Sequence, residues 1–226
     1  FFQRYAQRLG FRADRVTGHS LGELSAMTAA GCWDFTTAAE VIRHRCDVFE
    51  QSEAQIPGRL VSCFASEEDV LAALDGIMDV FVSHRNSPKQ TVIGGTFSAI
   101  NQSIDRLKQA RITTRGLNVP QAFHTPLMSV QKYSFAQRLT QIDIEPPHVP
   151  ILSSVSHRYE AEPQRFRELL AEQVITPVDF QRQIESCLSD GLQPPATDVP
   201  SPALGGTDAC LGWNRTITLK TLAQAA

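Results

Sequence analysis

The sequence predicts an α/β fold, a parallel-sheet core into which a smaller β-α-β-β-α-β unit is set. Three observations carry this. Short apolar runs alternate with segments of helical period along most of the 226 residues. Between residues 58 and 118 that alternation changes to two successive strands flanked by helices. Twelve Phe within a composition that is 42% hydrophobic supply a substantial core, which excludes intrinsic disorder for most of the chain.

The elements follow in order. FFQRYAQRLGFR places Phe2, Tyr5 and Leu9 on one helical face. With no initiator Met and no signal-peptide pattern, the chain reads as a piece of a longer polypeptide. Arg15-Val16-Thr17 is a short strand that feeds Gly18-His19-Ser20-Leu21-Gly22-Glu23, and LSAMTAAGCW is a helix of small residues. Residues 36–51 form an amphipathic helix with Thr36 as N-cap and Val41, Cys46 and Phe49 turned inward. LVSCFAS, VFVSHRNS, TVIGGT and ITTRGLNV read as four strands, with helices at EEDVLAALDGI and FSAINQSIDRLKQA. That order makes 58–118 a ferredoxin-like subdomain. Residues 1–57 and 119–192 are assigned to the core. Thr125-Pro126 opens a helix to about Gln141, ILSSVS is a buried strand, and residues 163–174 and 178–190 are helices. Residues 193–226, with Pro194, Pro195, Pro200 and Pro202, form an atypical Pro-rich tail expected to pack loosely.

Charge and cysteines narrow the function. The formal net charge is −3 with no Lys/Arg cluster, which argues against nucleic acid and against an anionic membrane surface. No apolar run approaches the roughly 18 residues that a membrane helix needs. Cys32, Cys46, Cys63, Cys187 and Cys210 are odd in number and contain no C-x-x-C pair. They read as reduced thiols of a cytoplasmic protein, with no disulfide frame and no metal site.

The sharpest chemical feature is Gly18-x-Ser20-x-Gly22 between a strand and a helix. A tight turn there exposes the serine Oγ, and the flanking glycines let backbones approach. The Leu21 backbone N–H and the helix N-terminus favour a developing oxyanion. The alternative is a glycine-rich turn with a capping serine. A serine nucleophile needs a base. His19 is adjacent and points elsewhere. His44, in Arg43-His44-Arg45, belongs to a solvated face, and His84 lies in a strand. His124, between a Pro-bounded strand end and a helix start, is the best placed, with a purely structural histidine as its rival.

GHSLGE (18–23), the arginine in VIRHRCDVF, NSP (86–88) and AFHTPLM (122–128) occur in that order. Together they resemble the malonyl-CoA:acyl carrier protein transacylase family, including acyltransferase domains of polyketide and fatty-acid synthases, from residue 1 to about 190. The resemblance implies a hydrolase-like core and an acyl group passed from CoA to Ser20 and on to a carrier protein's phosphopantetheine thiol. It also implies neighbouring synthase domains as partners and no cofactor beyond malonyl-CoA as substrate. It assigns His124 as base, Arg45 to the substrate carboxylate, and the Gln173 backbone carbonyl to orienting the His124 ring. A planar guanidinium grips a carboxylate through two parallel bonds. His19, Asn86 and Phe123 are assigned to the pocket, with Phe123 marking a malonyl-type site, although Gln121 departs from the family's usual His. Arg43 is the alternative carboxylate partner, and Asn86 has a second reading as the cap of a hairpin turn.

Two family features are not found in the sequence: the N-terminal Gly-Gln-Gly segment that supplies a second oxyanion donor, and the closing strand after the last helix. A serine esterase or thioesterase of α/β-hydrolase type and an inactive acyltransferase-like remnant remain as alternatives.

Overall fold

The computed structural model describes residue 8, residues 13–51 and 58–189, and the backbone of residues 216–218. The helix expected at the chain's start falls outside these residues except for Arg8, which is helical. In chain order, β1 (Arg15–Thr17) leads into α1 (Gly22–Ala30) and α2 (Phe35–Gln51). Next come β2 (Gly58–Cys63), α3 (Glu67–Ala73), β3 (Val80–Ser87), β4 (Gln90–Thr96), α4 (Phe97–Gln109) and β5 (Thr114–Gly116). A 3₁₀ turn at Pro126–Met128 precedes α5 (Ser129–Leu139), β6 (Ile151–Leu152), β7 (Tyr159–Glu160) and α6 (Pro163–Gln173). The remaining elements are β8 (Val178–Asp179), α7 (Phe180–Ser189) and β9 (Thr216–Thr218).

One sheet has the order β7-β6-β1-β9, with β6 and β9 both parallel to β1. β9 corrects the sequence reading, which placed no closing strand in the tail. Arg15, Val16 and Thr17 pair with Thr216, Ile217 and Thr218. The β-branched run Thr216-Ile217-Thr218 supplies the propensity, past the prolines that dominate the preceding composition.

The second sheet has the order β5-β2-β4-β3-β8. Its first four strands pair antiparallel throughout. α3 and α4 pack on the face that presents Val61, Cys63 and Ile93, through Val70, Leu74, Ile100 and Leu107. Ser66 and Thr96 cap these helices by accepting from the amides of Asp69 and Ala99. The fifth strand was not expected. Residues 178–179, assigned from sequence to a helix, pair parallel to β3, with His84 opposite Val178. The opposite face of the sheet meets the segment before α5: a Cβ on Gly94 would lie 3.0 Å from Thr125 Cγ2, and one on Gly58 would lie 2.9 Å from Ala122 Cβ.

Three corrections concern α2. Asp34, not Thr36, is its cap, since the Asp34 carboxylate accepts from the Thr37 amide at 2.8 Å. That bond, with further hydrogen bonds from the Thr37 side chain and the Thr36 amide, holds the Asp34 carboxyl below its ordinary range. Cys46 is exposed, whereas Ala38, Val41, Arg45 and Val48 are buried. The buried stripe steps by three and four residues, so it carries Arg45 inward instead of its neighbour. His44, expected on a solvated face, is buried with it. α5 stops at Leu139, short of Gln141, and ILSSVS forms a strand only at Ile151–Leu152. No helix among the described residues is long and apolar enough to cross a membrane.

Candidate functional site

The turn after β1 is built around one obligatory glycine. A Cβ on Gly18 would meet Gly22 C at 2.1 Å and Glu23 N at 2.3 Å, so only Gly allows the strand end to lie against the start of α1. Gly22 has no such role, because a Cβ there meets nothing within 4 Å. Two residues past Gly18, Ser20 takes φ 54°, a left-handed conformation rare for a residue with a side chain. The Glu23 amide donates to the Ser20 carbonyl at 3.0 Å and fixes the turn. Leu21 follows as the N-cap residue of α1, half-exposed at the helix's positive end.

His124, on the segment before the 3₁₀ turn, meets Ser20. Its Nε2 lies 2.6 Å from Ser20 Oγ, and its Nδ1 lies 2.8 Å from the Gln173 carbonyl oxygen. A carbonyl only accepts, so Nδ1 carries the proton and the Nε2 lone pair accepts from the Ser20 hydroxyl. His124 itself has φ 60°, and its amide donates to the Val174 carbonyl at 3.1 Å. The C-terminal end of α6 therefore grips both its backbone and its ring. Burial first, and then the Arg45 charge, push the His124 imidazole down to about 3, so it is neutral at physiological pH.

Arg45 is buried, and its Nη1 donates to Gln173 Oε1 at 3.1 Å. Desolvation pushes its guanidinium down to about 10, opposed mainly by the Glu23 charge. Its guanidinium carbon sits 5.4 Å from the centre of the Phe49 ring, which in turn packs on Phe123 at 5.1 Å. Gln121 is also buried, and its Nε2 donates to the Phe49 carbonyl at 2.7 Å, anchoring the segment before His124. Arg43, the alternative, is exposed and paired with Asp47 at 3.0 Å. The geometry excludes it from this cluster.

His19 and Asn86 also meet. His19 Nε2 lies 2.8 Å from Asn86 Oδ1. In this arrangement Asn86 ties β3 to the serine turn rather than only capping a hairpin. The site residues expected from sequence are thus brought together, with Leu21 in the serine turn and Phe123 packed on Phe49.

The sequence reading missed others. His84 stacks on His19 with centroids 5.2 Å apart, and meets His124 edge to face at 5.0 Å. Ser83 Oγ donates to the Phe123 carbonyl at 2.7 Å and lies 2.8 Å from His84 Nδ1. Glu23, buried on α1, accepts from the Ser154 amide at 3.2 Å, from the Ser154 hydroxyl and from Gln173 Nε2. An acid among the small residues of GELSAMTAA was the available signal for Glu23. Among the described residues no group of three or more His, Cys, Asp or Glu is placed to hold a metal ion.

A hydroxyl, a neutral imidazole on its proton, and a buried guanidinium in one site can do nucleophilic acyl chemistry. Comparison with known proteins agrees. The chain is 33% identical over 172 residues to a malonyl CoA-acyl carrier protein transacylase of Synechocystis, covering 76% of this chain and 57% of that one. It is 33% identical over 199 residues to a non-reducing polyketide synthase of Aspergillus fumigatus, covering 84% of this chain and 11% of the synthase. A solved complex of a type II polyketide acyl-carrier protein with its malonyl-transacylase superposes with TM-score 0.78 at 27% identity, covering 84% of this chain and 63% of that one. The chain therefore spans little more than half the length of the transacylase relative. The acyl transferase domain model matches residues 4–199, and the chain belongs to that family.

Proposed function

We propose that the chain moves a malonyl group from CoA to the phosphopantetheine thiol of an acyl carrier protein, through an ester on Ser20, in fatty-acid or polyketide synthesis. The observation that carries this is the 2.6 Å contact of Ser20 with His124 beside a buried Arg45. His124 Nε2 takes the Ser20 proton as Oγ attacks the malonyl thioester carbonyl. The C–S bond breaks, and the proton passes to the departing CoA thiolate. In the second half the carrier thiol gives its proton to His124, attacks the serine ester, and Ser20 recovers its hydrogen. The Leu21 N–H supports the oxyanion at both stages, and Arg45 pairs with the malonyl carboxylate. Phe123, His19 and Asn86 shape the acyl pocket.

The carbonyl at His124 Nδ1, where an α/β-hydrolase esterase places an acid, supports transfer over the esterase reading. We read the β1 sheet as a hydrolase-like core and 58–118 as a ferredoxin-like subdomain, supported by the strand order β5-β2-β4-β3. Four free thiols among the described residues fit action in the cytoplasm. Intact-mass spectrometry of the full chain after incubation with malonyl-CoA tests the function. The expected result is one malonyl group on Ser20, discharged by a carrier protein. CoA release without an adduct supports a hydrolase, and no reaction supports a remnant.

A further inference from the structure

Glu23 bonds neither the Ser20 hydroxyl nor the His124 ring, yet it is 2% exposed and shares Gln173 as a partner with both residues. Each partner it makes is a donor. Ser154 offers its amide to Oε1 and its hydroxyl to Oε2, and the Gln173 side chain offers Nε2 to Oε2. On its far side the same Gln173 amide accepts from Arg45 through Oε1. An amide has one donating and one accepting end. A guanidinium on one side and a carboxylate on the other therefore allow Gln173 a single orientation. Gln173 is also the residue whose carbonyl holds the His124 ring, and its Nε2 reaches the Ser20 carbonyl at 3.3 Å.

We propose that Glu23 is a positioning residue: by locking the Gln173 amide, it holds Arg45 where a carboxylated acyl group is read. This deepens the proposed function and rests on Arg45 being the reader of the carboxylate. Without an anion at position 23, the Gln173 amide loses the charged acceptor of its Nε2 and is oriented by Arg45 and the longer bond to the Ser20 carbonyl at 3.3 Å. Turned over, it presents two N–H donors to a guanidinium that can only donate, and Arg45 leaves its place. Burial holds the Glu23 carboxyl above its ordinary range, and its hydrogen-bond donors oppose that rise without cancelling it. Three converging donors are what an ionised carboxylate accepts.

The test compares malonyl-CoA and acetyl-CoA in the full chain bearing Glu23→Gln, Arg45→Ala or both. Glu23→Gln is expected to raise KM for malonyl-CoA roughly tenfold, the scale of one lost charge-assisted bond, while KM for acetyl-CoA stays within about twofold. Added to Arg45→Ala, the same substitution is expected to change malonyl preference no further, because the two act as one unit. Ser154→Ala, which removes a single donor to Glu23, serves if Glu23→Gln fails to fold, and a smaller shift of the same selectivity is expected.

Equal losses for both acyl groups, or an effect that multiplies with Arg45→Ala, would overturn the proposal. If Arg45→Ala itself weakens both substrates equally, the reading of Arg45 fails and this proposal with it. If Arg45→Ala is malonyl-selective and neither Glu23→Gln nor Ser154→Ala is, only the role of Glu23 fails.

Discussion

Ser20 and His124 lie 104 positions apart in the chain, meet at 2.6 Å, and both hold a left-handed backbone, with φ 54° and 60°. A side chain in that region costs of order 1 kcal/mol or more, offset only by the surrounding packing. Ser20→Gly is therefore expected to raise stability by roughly 0.5–1 kcal/mol while abolishing acyl-enzyme formation. Denaturant titration alongside intact-mass analysis checks this. A loss of stability would mean the serine side chain supports the fold more than its backbone strains it.

The glycines of the turn are unequal. Gly18→Ala pushes a methyl into the backbone of Gly22 and is expected to destabilise by several kcal/mol or prevent folding. Gly22→Ala adds a methyl in open space on a helix and is expected to be neutral or stabilising by up to about 1 kcal/mol. Thermal melts of the two variants side by side separate them, and equal effects would refute the assignment.

Arg45→Ala is expected to cut malonyl transfer while sparing or improving acetyl transfer. An unpaired buried carboxylate is penalised heavily, and breaking one side of a buried charge pair costs on the order of 3–5 kcal/mol, over a hundredfold in malonyl preference. Arg45→Lys is not expected to restore it, since a point charge cannot reproduce the bond to Gln173 and the carboxylate together. The ratio of kcat/KM values for the two CoA esters is the measurement.

His124 sets a pH dependence. Its folded-state value, about 3, lies below the unfolded value near 6.5. Between these the unfolded chain binds the extra proton, so this contribution to stability is full above pH 6.5 and is lost as pH falls toward 3. The amount is on the order of 5 kcal/mol. Glu23, raised by burial, contributes in the opposite sense as pH rises through its ordinary range. The stability difference between the wild type and His124→Gln should therefore change with pH across this window. The acid limb of kcat/KM should also lie well below 6.5, and a limb near 6.5 would show that burial does not hold the ring neutral.

The residues that meet in the site were legible where the chain advertises them. GHSLGE marks a turn, and AFHTPLM marks a strand end before a helix, so Ser20 and His124 could be paired from sequence. Glu23 stood out only as an acid among small residues and His84 not at all, because periodicity reports which face of an element is apolar and is silent on which distant partner buries a polar side chain. The depth of Arg45 depended on the exact stripe of α2, where a shift of one position exchanges it with Cys46. β8 was hidden for a related reason. Two residues make a strand only because the edge of β3 is there to receive them, with His84 opposite Val178.

That edge pairing has an engineering consequence. The segment 58–118 begins and ends side by side, where the Leu117 amide donates to the Leu60 carbonyl at 2.9 Å, which invites treating it as a cassette to be exchanged between relatives. It is not self-contained. Excising it would strand the backbone of Val178 and Asp179, expose Ala122 and Thr125 where Gly58 and Gly94 now cover them, and remove the ring that leans on His124. A chimera that swaps this segment must therefore carry a matching β3 edge and glycines at the same two positions, or the graft will disturb the site it was meant to retune.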